Sequence, residues 1–165
     1  KKKQKKGKMK KLFVMMLMLV AVMSARAQQA ISSQELSDRL QIRELVDRYA
    51  TESDKFNQES YAEIFAKDLK LRIIVGDNVN EINGVENMIR IYKAAGAADV
   101  SFHQTGQQVV EFSDSTHASG LVYLTALMVN NNQARHLYLR YQDKYEKIDG
   151  RWWITERDQY ILFSE

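Results

Sequence analysis

"RYQDKYEKIDGRWWITERD", residues 140–158, is a β-hairpin written into the chain. Two runs that alternate apolar and polar side chains flank Asp149-Gly150. That dipeptide suits a two-residue hairpin turn, whose central residues both take positive φ. The same texture continues on the N-terminal side. β-like runs cover roughly 100–112, 117–130, 134–148 and 151–163, separated by "SDST", "NNN" and the Asp-Gly pair. The C-terminal part of the chain therefore reads as a meander of long antiparallel strands.

Before residue 99 the period changes. "SSQELSDRLQIRELVDRYATES", residues 32–53, predicts a helix: Ser32 and Glu35 have capping-box spacing, and Leu36, Leu40, Leu45 and Tyr49 recur on one face with Ile42 and Val46 beside it. It should end between Ser53 and Asn57. "QESYAEIFA", 58–66, predicts a short second helix with Tyr61, Ile64 and Phe65 inward. "LKLRIIVGDNVNEING", 69–84, predicts two strands about a Gly76-Asp77-Asn78 turn. "GVENMIRIYKAAG", 84–96, predicts a helix with Val85, Met88, Ile89 and Tyr92 on its apolar side and a Gly96 stop. Helices segregated from an antiparallel sheet make an α+β domain. A strongly curled sheet of this kind can enclose a pocket beneath the helix layer.

Composition excludes several function classes. The 165 residues include 24 Lys and Arg against 21 Asp and Glu, for a formal charge of +3. Nine of the basic residues, and no acidic one, lie within 1–27; from residue 28 onward 15 basic residues meet 21 acidic ones, a balance of −6. An acidic domain has no attraction to a phosphate backbone, so nucleic acid is not an expected partner. "MKKLFVMMLMLVAVMSARA", residues 9–27, accounts for part of the basic start. It has a short positive region, an apolar run over 12–23 and small residues on either side of Arg26. That is the pattern of a secretory signal peptide, too short in its apolar part to persist as a membrane anchor. Residues 1–8, "KKKQKKGK", fall outside it and read as an extension of different origin, with Met9 as the start. The expectation is an exported protein, periplasmic or secreted, with 28–165 as one domain. The chain has no cysteine, which excludes disulfides and thiolate chemistry, and a domain of this size buries an adequate core without them.

Three stretches carry a resemblance to a known family: "LVDRYATESDKFNQESYAEIFAKDLKL" (45–71), "FHQTGQQVVEFSDSTHASG" (102–120), and the opening hairpin with Trp152, Ile154 and Arg157. Together they resemble the SnoaL-like group of the nuclear-transport-factor-like superfamily, which includes polyketide cyclases, scytalone dehydratase and bile-acid dehydratases. The resemblance spans about 36–163. It implies a cone-shaped α+β barrel, a curved, largely antiparallel or mixed sheet wrapped around an N-terminal helix layer. It does not specify a reaction, because members of one fold carry different chemistries.

In the dehydratase members a Tyr and an Asp at the end of the first helix face a strand His. The matching positions here are Tyr49, Asp54 and His103. A 1,2-elimination needs a base for a proton beside a carbonyl and an acid for the departing hydroxyl. An imidazole serves either need, a carboxylate orients it, and a phenol donates to the substrate oxygen. Each residue also has a plain structural reading: Tyr49 as core, Asp54 as a cap on the second helix, His103 as a core or edge histidine. Strand alternation groups His103 with Ser101, Thr105 and Gln107 and sets it opposite Phe102.

The chain departs from the family where scytalone dehydratase has a second pocket His and the bile-acid enzymes a carboxylate. The nearest positions here are Thr125, Ala126, Leu127 and Met128, none of which transfers protons. His136 could substitute, but alternation sets it with Tyr138 and Arg140 on the outer row; His117 falls in a turn. The resemblance further implies a small apolar or cyclic ligand, with Phe65, Val75, Met88, Tyr92 and Met128 lining its cavity, and a homodimer through the outer sheet face. Cofactor-free dehydration or isomerisation is the leading expectation. A ligand-binding module without catalysis and a partner-docking platform are the alternatives. HExxH, CxxC, GxSxG and a phosphate-binding glycine loop are all absent, and three histidines without ligand spacing predict neither metal nor cofactor.

Overall fold

The structure is a computed structural model that describes residues 31–165. The extension 1–8 and the signal peptide 9–27 lie outside the described residues. The chain divides into two compact units, 1–35 and 36–165. In the first, the Glu35 backbone N–H donates to Ser32 Oγ at 3.0 Å, the N-cap bond expected from the Ser-x-x-Glu spacing.

Helix α1 runs Ser33–Asp54 and buries Asp38, Ile42, Leu45, Val46, Tyr49 and Ala50. Leu36 and Leu40, expected on the inner face, are 53% and 63% exposed. The reason is Asp38, which takes the inward position on this part of the helix. Its carboxylate accepts from Trp152 Nε1 at 2.9 Å and from Lys147 Nζ at 2.6 Å. A buried carboxylate with one cationic and one neutral donor is stable there, and it rotates the neighbouring leucines outward.

After α1 the chain turns through Phe56, at φ 55, into a 3-10 helix, Gln58–Glu63. Tyr61, Ile64 and Phe65 are buried as expected. The predicted α-helix, however, stops short, because Phe65 opens strand β1, Phe65–Val75. Over so few residues, i, i+3 and i+4 spacing fits a 3-10 turn followed by a strand equally well. Strand β2 is Asn78–Asn83, helix α2 is Val85–Ala95, and Gly96 ends α2 at φ 81.

The meander consists of β3 Val100–Phe112, β4 His117–Asn130, β5 Gln133–Ile148 and β6 Arg151–Ser164. Asn131 and Asn132 sit at φ 51 and 60, Asp149 and Gly150 at φ 51 and 80. Both tight turns thus take the positive-φ form their sequences predict. The six strands form one mixed sheet in the order β2-β1-β6-β5-β4-β3, with β1 and β6 parallel and the other pairs antiparallel. This is the expected α+β architecture, and it leaves β3 as an edge strand. No helix among the described residues is long and apolar enough to cross a membrane.

Two bulges decide which side chains face inward. On β3, one extra residue between Thr105 and Gln108 moves the inner set from Ser101, His103 and Thr105 to Gln108 and Val110. Gln107, grouped with His103 by simple alternation, is therefore on the exposed side. On β6, Glu156 pairs with Lys144 but Ile154 with Tyr145, so Thr155 is the extra residue. Inward positions shift from Trp152 and Ile154 to Arg157. Bulges bend the strand and raise its twist, which is how a flat meander becomes a curved one. The core contains Trp152, Tyr141, Tyr145, Phe65, Leu69, Leu71 and Ile154, each almost wholly buried.

Candidate active site

The site is assembled by a row of bonds that ties α1 along the edge strand β3. Arg39 donates to the Val110 carbonyl at 2.9 Å, and Arg43 to the Gly106 carbonyl at 3.1 Å and to Thr105 Oγ1 at 2.9 Å. Thr105 Oγ1 in turn donates to Asp47 Oδ1 at 2.8 Å. Positions 39, 43, 47 and 54 lie in one stripe of a 3.6-residue helix, and their partners descend along β3, so helix and strand run antiparallel. The row satisfies carbonyls that an edge strand leaves open. Its last step delivers Asp54 to the head of β3.

There the Asp54 carboxylate meets His103. Oδ1 lies 2.6 Å from His103 Nδ1, Oδ2 accepts the His103 backbone N–H at 3.0 Å, and Ser101 Oγ donates to Oδ1 at 3.1 Å. The His103 side chain is 9% exposed and that of Asp54 24%. Three donors converging on one carboxylate fix its orientation. A carboxylate at Nδ1 holds the imidazole proton on that nitrogen and leaves the Nε2 lone pair free. Among the described residues no side chain or backbone group bonds Nε2. Asp54 is therefore not a cap on the 3-10 helix, whose N-cap is Asn57, with no side-chain cap bond.

Both groups line a cavity of about 260 Å³. Its lining also includes four phenols: Tyr49, Tyr61, Tyr92 and Tyr141. Tyr49 and Tyr61 have ring centroids 5.2 Å apart, and Ser53 Oγ, which donates to the Tyr49 carbonyl at 2.6 Å, lies 2.7 Å from the Tyr61 hydroxyl. Burial pushes the Tyr49 phenol above its ordinary range, with the charge of Arg157 opposing in part. Burial likewise raises Tyr61, Tyr92 and Tyr141, the last two strongly. All four are neutral donors throughout the physiological range. Behind them Arg157 is bound by Asp143. Burial works against its charge, but the opposing carboxylate wins and its pKa stays raised.

Of the expected cavity residues, Tyr49, Asp54, His103, Tyr92 and Met128 line it. Phe65 and Met88 do not. Both are wholly buried in the hydrophobic core, and Phe65 packs edge-on to Tyr49 at 5.5 Å. Val75 is 47% exposed beside the β1–β2 turn, because β1 extends past the helix layer. On β4 the inward positions are Ala126 and Met128, so no second histidine or carboxylate reaches the cavity from that strand. His136 is exposed on the face opposite Leu137 and Leu139, and exposed His117 pairs with Asp114 at 3.0 Å. Tyr141 was missed as a site residue, although the alternation of Leu137, Leu139 and Tyr141 signals it. Gln159 was missed because the Thr155 bulge inverts the alternation before it. Among the described residues no cluster of three metal-ligating side chains forms.

A mixed sheet closed by helices over a cavity with an acid–imidazole pair defines a pocket-bearing α+β protein. The chain belongs to the SnoaL-like domain family, whose sequence model matches residues 34–158. Solved structures agree on the fold. A proposed scytalone dehydratase from Novosphingobium aromaticivorans is 17% identical, with 80% of this chain and 89% of that chain covered and a TM-score of 0.71. A hexachlorocyclohexane dehydrochlorinase, LinA type 2, is 19% identical over 80% and 90%, at 0.72. LinA type 3 from Novosphingobium barchaimii is 19% identical over 80% and 91%, at 0.69. No curated protein sequence is significantly similar to this one.

Proposed function

We propose that the protein binds a small cyclic or apolar molecule in the Asp54–His103 cavity and promotes a cofactor-free elimination or isomerisation. The observation that carries this reading is the 2.6 Å contact of Asp54 Oδ1 with His103 Nδ1, which leaves Nε2 without a partner among the described residues. Nε2 takes a proton from a carbon beside a carbonyl. The C–H electron pair becomes the new π bond, and the leaving group departs with its own pair. Asp54 balances the imidazolium, and the neutral Tyr49 phenol donates to the substrate oxygen. A departing hydroxyl takes the proton back from His103 as water; in an isomerisation the proton returns to a different carbon. The names of two structural relatives, a dehydratase and a dehydrochlorinase, are both names of eliminations.

The test is turnover of cyclic β-hydroxy ketones, beginning with 3-hydroxycyclohexanone and read by the ultraviolet absorbance of the enone. His103→Ala should lose about a hundredfold or more in rate, the usual worth of a positioned base, while retaining ligand affinity. Undiminished turnover in that variant would remove the assignment. The apolar β4 positions Ala126 and Met128 favour a second reading, a ligand carrier without catalysis. That reading predicts binding with no turnover in the native chain.

The proposal extends to export, supported by the pattern over 9–27. It also includes a homodimer through the outer sheet face, where Phe102, Tyr123, Tyr138 and Phe163 are exposed. Size-exclusion chromatography with light scattering checks the dimer.

A further inference from the structure

Among the described residues, Phe56, Asn131, Asn132 and Asp149 take positive φ without being glycine. Three of them are asparagine or aspartate in hairpin turns, side chains that tolerate this conformation. Phe56, at φ 55, is the exception. The bonds around it are those of a Schellman stop at the end of α1. The Asn57 N–H donates to the Glu52 carbonyl at 2.9 Å, and the Phe56 N–H to the Ser53 carbonyl at 3.1 Å. Such a stop puts one residue in the left-handed region, and glycine fills it without a Cβ penalty. A phenylalanine there costs stability. Core packing does not offset that cost, since Phe56 is 38% exposed and lies outside the hydrophobic core cluster. It does line the cavity, two residues beyond Asp54. Tyr49, Tyr61 and Tyr141 in the same lining are buried, so the exposed Phe56 marks the cavity's rim.

We propose that Phe56 is a ligand-contacting residue, whose ring packs at the rim against the apolar end of the bound molecule. The strained stop is kept for that contact. A cavity of about 260 Å³ has room for two fused six-membered rings. The ligand class is therefore a bicyclic or aryl-bearing ketone or alcohol, its oxygen toward His103 and the phenols and its far ring against Phe56. The inference rests on the cavity being the ligand site, as proposed above, and is independent of chemistry at His103.

The test titrates 1-tetralone, a bicyclic ketone with no leaving group, into the native chain and into Phe56→Gly, Phe56→Ala and Phe56→Tyr. Amide resonances report binding, and a melting curve is recorded for each protein. The native chain should bind with shifts at the Ser101 and His103 amides. Phe56→Gly and Phe56→Ala should each lose about tenfold in affinity, the worth of one aromatic contact, while Phe56→Tyr keeps it. Phe56→Gly should melt no lower than the native chain and about 3 °C above Phe56→Ala, because glycine relieves the left-handed backbone that alanine retains. Undiminished affinity in Phe56→Gly would deny the contact, and a melting point well below the native one would make Phe56 a packing residue; either overturns the inference. The first of these leaves the proposed function standing. A native chain that does not bind 1-tetralone, or binds it without moving Ser101 and His103, overturns both.

Discussion

Arg157 and Asp143 face each other across β6 and β5 with neither side chain exposed, joined by two hydrogen bonds: Nε to Oδ1 at 2.8 Å and Nη2 to Oδ2 at 2.7 Å. The guanidinium lies over three rings, 4.0 Å from the centroid of Tyr141, 4.7 Å from Tyr49 and 5.1 Å from Phe65. The pair thus supports the phenol wall of the cavity from behind. Removing one partner strands the other charge in the core. Arg157→Met is expected to cost about 3–5 kcal/mol in urea unfolding, and Arg157→Met with Asp143→Leu to recover a large part of it. A double variant no more stable than the single one would mean the pair is worth more than the charge it neutralises.

Gly120 is a second place where the fold has no slack. A Cβ there would lie 2.8 Å from Tyr145 Cε2. Tyr145 is itself held, since its hydroxyl donates to Asp143 Oδ2 at 3.1 Å. Gly120→Ala should therefore cost about 1–3 kcal/mol, the usual penalty for overpacking. Adding Tyr145→Leu should relieve much of it, as thermal denaturation would register.

The buried phenols give the protein an alkaline limit. Burial raises Tyr49, Tyr61, Tyr92, Tyr141 and Tyr145 above the ordinary value of 10.0. Folded-state values above the unfolded one mean that the unfolded chain releases protons first as pH rises through 10. The stability from these neutral phenols is complete below pH 10 and declines above it, by about 1.4 kcal/mol per pH unit for each phenol. Absorbance at 295 nm should show these five of the eight tyrosines ionising only with unfolding, and melting temperatures should fall steeply above pH 10. Smooth ionisation of all eight before unfolding would contradict the buried wall.

The α1–β3 row predicts a local effect. Asp47→Ala removes the acceptor for Thr105 Oγ1 and for Arg43 Nε. Both charged side chains are more than a third exposed, so solvent screening discounts the ion pair. The global cost should be about 1 kcal/mol. Amide exchange should nonetheless quicken selectively at the head of β3, around Ser101 and His103. Uniform quickening across the sheet would deny the row its positioning role.

Much of this was legible in the sequence because local chemistry and tertiary packing agreed. Asp149-Gly150 and the asparagines at 131–132 dictate their turns whatever surrounds them, and Gly96 ends α2 where its positive φ requires. Asp54 and His103, 49 residues apart, were paired by family resemblance, and the structure brings them together. The misreadings have a common cause in contacts that no local period encodes. Asp38 displaces Leu36 and Leu40 because Trp152 and Lys147, more than a hundred residues away, need its carboxylate. Gln107 and Gln159 were misplaced or overlooked because single-residue bulges invert alternation. Phe65 and Met88 are apolar in the right elements, but both are buried in the core, Phe65 behind the rings of Tyr49 and Tyr61.

The central claim is that Asp54 holds the His103 proton on Nδ1 and leaves Nε2 as the base. It is tested most directly by long-range nitrogen–proton NMR of the imidazole, with no substrate needed. The neutral His103 ring should show a protonated Nδ1 and a bare, pyridine-like Nε2, and Asp54→Asn should abolish that preference. A neutral ring protonated at Nε2, or one whose tautomer ignores Asp54, would contradict the account.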